Sequence, residues 1–266
     1  MKRKINGVNG IDVIKIGGTL LEGNAFAKLA RALAAFIKKN PTILVHGGGK
    51  AVSALSERLG IPTKFVNGRR VTDAPTMEIA EMVLSGKINP YVSAQLRQCG
   101  VAALGLSGHH SGLLRARSIK ELGRVGEMDR IDRKKIQQLL TIGYTPVLAS
   151  IAEDKNGDAL NVNADDMASS LAIAQKARRL ILFTDVPGIL DAQKKTIASI
   201  TPDQGKKLIA DAVITGGMIP KVQSAFEALN RGVKEIWILH GQLPLTNARG
   251  TVITENPKKA RHPFKI

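Results

Sequence analysis

A single cysteine, Cys99, is the only thiol in the 266-residue chain. That excludes an intrachain disulfide and a thiolate metal cluster and fits a reducing cytoplasm, with Cys99 expected as a small buried apolar residue. Aromatic residues are also scarce, at 3%. Proteins that bind nucleic acid by stacking need more of them, and no zinc-finger or RNA-binding signature occurs, so no specific nucleic-acid partner is expected. No apolar run approaches the roughly 20 residues of a membrane span, and the start, with Lys2, Arg3 and Lys4, has no signal-peptide core. A membrane protein or a secreted one is therefore not expected. Two phosphate-binding fingerprints are missing too. The spacing G-x-x-x-x-G-K-[ST] fails because Leu44 stands where the first glycine should be and Ala51 where the hydroxyl should be, and no G-x-G-x-x-G is present.

Acidic residues are few as well, 22 against 39 lysines and arginines, for a net charge of +17. Such an excess favours an anionic partner without choosing among nucleotide, acidic metabolite and acidic protein. Part of it sits in Arg115, Arg117, Lys120 and Arg124, and part in a tail with Lys258, Lys259, Arg261 and Lys265. Solvated faces account for most such charges.

What the chain does have is length enough for a sizeable core and a regular alternation of strand and helix patterns. Apolar runs at Ile11–Ile16, Thr42–Val45, Ala102–Leu106, Thr145–Ala149, Leu180–Thr184 and Glu235–Leu239 predict strands. Apolar residues at three- and four-residue spacing predict helices over Ala25–Ile37, Lys50–Leu59, Ala164–Lys176 and Pro220–Asn230. This order predicts an α/β fold, an αβα sandwich with a mostly parallel central sheet. A new unit starts near Ala177, which divides the chain into lobes of about 1–176 and 177–266.

Ligands of open parallel sheets bind beyond the carboxyl ends of strands. Two such ends are glycine-rich here: Lys15 to Thr19, with Gly17 and Gly18, and His46 to Lys50, with Gly48 and Gly49. Both put bare backbone before a helix, either as tight turns or as anion cradles. Lys15 interrupts an apolar strand, so its ammonium either snorkels to solvent or meets a phosphate at the strand end. Phosphoryl transfer requires charge stabilisation more than covalent help, and a second cation suited to it is Lys221, just after the Gly216-Gly217 pair. Arg70, within Asn67 to Asp73, offers a guanidinium for a carboxylate. Asn161, Asn163 and Asp165 alternate, which in an extended segment places them on one face; Asp165 or Asp166 either caps the next helix or holds the lysines. Thr184 to Leu190 turns at Pro-Gly, as a plain turn or as a nucleotide-side loop.

Taken in order, these segments resemble the acetylglutamate kinase branch of the amino-acid kinase family, over nearly the whole chain from Lys15 to Gly250-Thr251. The resemblance implies an N lobe that binds the acetylated amino acid and a C lobe that binds ATP. It implies that Lys15 and Lys221 stabilise the transferring phosphoryl group and that Asp165 organises them. Gly48 and Gly49 would hold substrate or phosphoryl oxygens through their amides, Arg70 would clamp a carboxylate, and Asn161 would bond the amino acid with Asn163 behind it. Gly17, Gly18, the loop of Asp185, Val186, Gly188, Ile189 and Leu190, and the segment Val213, Ile214 and Thr215 match nucleotide-binding positions. Magnesium would arrive with ATP. The rival within the family phosphorylates an amino acid tethered to an acidic carrier protein, which the +17 charge would suit. The arginine segment, Asn161 to Asp165 and the stretch before Lys221 keep the free-substrate pattern. With the first strand beginning near Ile11, the hexamer-forming helix of arginine-inhibited relatives has no counterpart, so a homodimer insensitive to arginine is expected. The tail from Glu255 is expected to be disordered.

Overall fold

The computed structural model describes residues 10–22, 24–66, 68–216, 218–241 and 244–264. Lys2, Arg3, Lys4, Asn67, Gly217 and Lys265, named above, lie outside them. The strands are β1 (Asp12–Ile16), β2 (Thr42–His46), β3 (Phe65–Val66), β4 (Arg69–Arg70), β5 (Ala103–Ser107), β6 (Leu114–Ser118), β7 (Val125–Ile131), β8 (Thr145–Ala149), β9 (Ile151–Glu153), β10 (Ala159–Val162), β11 (Arg179–Thr184), β12 (Ser199–Ile200), β13 (Glu235–His240) and β14 (Gly250–Ile253). The helices are α1 (Ala25–Lys39), α2 (Gly49–Arg58), α3 (Ala74–Glu81), α4 (Asn89–Gln98), α5 (Gly108–Ser111), α6 (Arg133–Thr141), α7 (Ala164–Ala174), α8 (Pro202–Ala210) and α9 (Met218–Asn230), with a π-helical stretch, Met82–Ile88, between α3 and α4.

Strand alternation builds the layers. Along β1, Val13 joins a core with Val45, Leu148, Leu180 and Leu182, and with Met167 and Leu171 of α7 and Val222 of α9. Ile14 and Ile16 face the other way, to Leu44, Val147, Ile181 and Phe183, and to Phe26, Leu29 and Leu33 of α1. The sheet is thus covered on both faces, which is why its strands read as continuous apolar runs. Its spatial order is β12-β14-β13-β11-β1-β2-β8-β5. Pairing is parallel from β13 to β5, and only β14 runs against its neighbour β13. The chain leaves β1 toward β2 on one side, and β11 continues toward β13 on the other. A crevice is therefore expected where these directions diverge, at the carboxyl ends of β1, β2 and β11.

Several details differ from the sequence expectation. Helix α7 ends at Ala174, short of Lys176, because Lys176 takes a left-handed conformation (φ 48°) and Ala177 N–H then closes on the Ala172 carbonyl. Between β5 and β8 the chain forms β6 and β7, which close with β9 and β10 into a small barrel. No strand was expected there, since charged residues dilute the period-two pattern. Arg117, Lys120 and Arg124 are exposed on this unit and Arg115 is half-buried. Cys99 is half-buried rather than buried, at the end of α4. The tail is ordered through Phe264, contrary to the expected disorder: the Phe264 ring packs 4.8 Å from Phe36 and 5.8 Å from Phe183, and His262 lies edge-on to Trp237. Two aromatic anchors are enough to offset the ordering of a short basic segment.

Candidate active site

Lys15 shares the face of β1 that carries Val13, and so points toward α7 rather than out to solvent. There its Nζ lies 2.9 Å from Asp165 Oδ1, with 11% of the side chain exposed. Lys221, in the first turns of α9, brings its Nζ to 2.6 Å from the other oxygen, Oδ2. One carboxylate therefore holds two ammoniums, and the group retains one surplus positive charge. Burial alone would raise the Asp165 carboxyl, but the Lys15 and Lys221 charges outweigh it and hold it below the usual carboxylate range. Asp165 does not lie on an extended face with Asn161. The extended run stops at Asn163, whose side chain caps α7 by accepting from the Asp165 and Asp166 N–H groups, so neither aspartate is the cap. That cap fixes the turn on which Asp165 is mounted. Asp166 goes elsewhere, to Arg69 Nη2 at 2.9 Å, and burial raises its carboxyl pKa despite the arginine.

The two glycine turns face one another. A Cβ on Gly18 would lie 3.5 to 3.7 Å from Gly48 Cα, Gly48 N and Gly49 N. A Cβ on Gly48 would meet the side-chain ends of Ile88 and Leu84 in the π-helical stretch, which would have to shift to admit it, so the turn packs closely against that wall. Gly47 lies against Ala164, next to Asp165, and Gly17 lies beside the Lys15 ammonium. Gly17, Gly18, Gly48, Gly49, Lys15, Asp165 and Lys221 thus border one space at the strand ends.

Arg70, at the end of β4, completes it. The residue is 7% exposed, and its Nη2 donates to the Gly49 carbonyl (2.8 Å) and Ser53 Oγ (2.7 Å), with Nη1 on Thr63 Oγ1. Burial depresses its pKa, and among the described residues no carboxylate pairs with it. An enclosed guanidinium held only by neutral groups is suited to an anionic ligand. Asn161 stands nearby in the chain of contacts: its amide donates to Thr72 Oγ1, which donates to the Arg70 carbonyl.

On the other side, Gly188 (φ 108°) passes over Thr251, whose hydroxyl accepts from the Ile189 N–H and donates to the Ile197 carbonyl. Asp185 and Val186 are exposed at the end of β11, and Leu190 bridges to Thr196. Ile189 and Ile214 are buried at 1% and 2% and pack in the core, so their side chains do not face a ligand here. Val213 is half-buried and Thr215 exposed, just ahead of α9.

Residues that sequence reading did not single out support the site. Ser53 lies one turn after Gly49 on α2, a spacing that could have marked it. Ser53, Thr63, Thr72 and Thr251 are otherwise ordinary hydroxyl residues, without a pattern of their own. His46, at the end of β2, is fully buried: its Nδ1 lies 3.0 Å from the Gly47 carbonyl and its Nε2 accepts from Asn89. Burial lowers its pKa to about 4, against a weaker opposing effect of the Gly47 hydrogen bond. The folded protein keeps the imidazole neutral while the unfolded chain protonates near pH 6.5. His46 therefore contributes stability that is complete above pH 6.5 and lost as pH falls toward 4, about 3 kcal/mol in all. Urea unfolding between pH 4.5 and 7 should show a shallower pH slope for His46→Asn than for the natural protein; parallel slopes would count against this account.

A parallel sheet with glycine turns at its switch point and a lysine–aspartate–lysine group in the crevice defines a class of enzyme. The profile of the amino acid kinase family matches residues 11–240, and the chain belongs to that family; it is a kinase. Within it the chain is 42% identical to the acetylglutamate kinase of Endomicrobium trichonymphae, over 91% of this chain and 98% of that protein. It is 44% identical to the acetylglutamate kinase of Gloeobacter violaceus over 75% of this chain and 69% of that one. Among solved structures, smu.665 from Streptococcus mutans UA159 superposes with a TM-score of 0.78 at 34% identity, covering 92% and 98% of the two chains.

Proposed function

We propose that the protein transfers the γ-phosphoryl group of ATP to the side-chain carboxylate of N-acetyl-L-glutamate, giving N-acetylglutamyl 5-phosphate and ADP, a step of arginine biosynthesis. The observation that carries this reading is the pair of lysines sharing Asp165 at the mouth of two glycine turns. A carboxylate oxygen attacks the γ-phosphorus, the bond to the bridging oxygen breaks, and ADP leaves. Negative charge spreads over the moving group, and Lys15 and Lys221, already oriented and largely dry, stabilise it there. Asp165 keeps the two ammoniums together at low cost because its own charge compensates one of them. The Gly48 and Gly49 amides bind substrate or phosphoryl oxygens, Arg70 takes a substrate carboxylate, and Asn161 bonds the amino acid, with Asn163 fixing the turn behind. The N lobe, about 1–176, binds the amino acid, and the C lobe, about 177–266, binds ATP through Gly17, Gly18, Asp185 to Leu190 and Val213 to Thr215. Magnesium arriving with ATP would supply charge neutralisation on the phosphates. The enzyme works as a cytoplasmic homodimer.

The test is ADP release with magnesium and ATP, comparing N-acetylglutamate with glutamate, aspartate and N-acetylaspartate, with hydroxylamine present to trap acylphosphate. Turnover with N-acetylglutamate alone is expected. Arg70→Ala should raise its KM by roughly 10- to 10²-fold, the effect of losing a charge-assisted carboxylate contact, about 1.5–3 kcal/mol. Silence with every free amino acid would overturn the substrate and turn attention to a carrier-bound one.

A further inference from the structure

We infer that Glu81, His109 and His110 form a binding site for a divalent transition-metal ion of the zinc type, outside the cleft described above. Glu81 closes α3, and the two histidines lie on α5, directly after β5. His109 Nδ1 is 2.7 Å from Glu81 Oε1, and one donor atom from each of the three side chains lies within 4.8 Å of the others. Ligand atoms around a tetrahedral zinc ion at ~2.0–2.1 Å stand about 3.3 Å apart, so the carboxylate and His109 must open slightly and His110 must close in. The side chains allow that, since Glu81 and His109 are each about 30% exposed and His110 is exposed.

The backbone beneath is fixed. A Cβ on Gly108 would lie 2.6 Å from the Ile151 carbonyl and from Leu114 Cβ, so α5 is seated against β9 and β6. Its first turn is closed by the Ser107 hydroxyl, which accepts from the His110 N–H. Two histidines on a backbone-fixed turn and a carboxylate from a second helix bring three ligand types together, and only side-chain adjustment is needed to reach tetrahedral spacing. Imidazole nitrogens favour zinc, cobalt, nickel and copper over magnesium and calcium, and three protein ligands leave a further position for water. His110 also lines a groove of about 450 Å³ in which the buried Ser85 and Ser93 hydroxyls have no partner among the described residues.

An ion here would tie the end of α3 to α5. Glu81 immediately precedes the π-helical stretch whose Leu84 and Ile88 abut Gly48, so occupancy would stiffen the wall behind the glycine turn.

The test uses the full chain, stripped of metal and titrated with zinc chloride by calorimetry and with cobalt chloride by visible absorption. One ion per chain is expected, together with a rise in thermal midpoint and no response to magnesium chloride at the same concentration. His110→Ala removes an exposed side chain and leaves the fold in place; it and Glu81→Gln should each weaken zinc binding by at least about tenfold. His46, His240 and His262 persist in both variants, so undiminished affinity would mean an adventitious ion only and would overturn the site, as would absence of zinc binding by the natural chain. Neither readout depends on turnover, so the site stands or falls apart from the proposed reaction.

Discussion

Lys15→Ala should lower turnover by roughly 10²- to 10³-fold while the thermal midpoint stays near that of the natural protein. The size follows from the removal of one preorganised cation from a low-dielectric site where charge develops only in the transition state. The small structural effect follows from the geometry: Asp165 keeps Lys221 at 2.6 Å, so no charge is left wholly unpaired. Binding of ATP and N-acetylglutamate should change much less than kcat, since Gly48, Gly49 and Arg70 are untouched. Lys221→Ala should behave alike, and the double variant should lose less than the product of the two, because both lysines act on one group and share one anchor. Steady-state kinetics of the three variants decides this. Full turnover in either single variant would remove the proposed mechanism.

The second large effect concerns stability and lies at the opposite end of the same strand. Asp12, at the start of β1, is fully buried, and both its oxygens are taken by Arg178 and Arg179, each donating through Nε and Nη2 at 2.7 to 3.2 Å. Asp12→Ala leaves Arg179, only 12% exposed, without its ion-pair partner. Removing one partner of such a group costs about 3–5 kcal/mol, a large share of the roughly 5–15 kcal/mol that holds a domain folded. A fall in thermal midpoint of the order of 10 °C is expected in a scan at neutral pH. Adding Arg179→Met to Asp12→Ala should recover part of it, since the destabilising charge is then gone. If Asp12→Ala melts with the natural protein, the arginines are already solvated and the pairing is worth little.

The two effects separate what the sequence states from what it hides. Lys15 was legible because a charge inside an apolar strand ahead of two glycines is a local anomaly; Lys221 stood out after a second glycine pair and Asp165 as either a cap or a holder of the lysines, and the family resemblance implied that the three belong together. Asp12, three residues earlier, breaks the same apolar run and gave no signal of its own, because its partners lie 166 and 167 residues away and join it only through the parallel pairing of β1 with β11. Likewise, the Asn161 to Asp165 alternation predicted one shared face, whereas the capping of α7 by Asn163 sends the three side chains to three different tasks.

By itself the sequence determined the alternation of strand and helix, the glycine turns at the ends of β1 and β2, and the residue types of the candidate site, since all of these follow from short-range periodicity and from the chemistry of single side chains. Only the tertiary structure decided that one carboxylate holds both lysines, that Arg70 is enclosed with no carboxylate on it among the described residues, that the basic tail docks on Phe36 and Phe183, and that Glu81 gathers with His109 and His110. Each of these joins residues far apart in the chain, and their separation in space depends on strand order and helix packing, which local pattern does not encode.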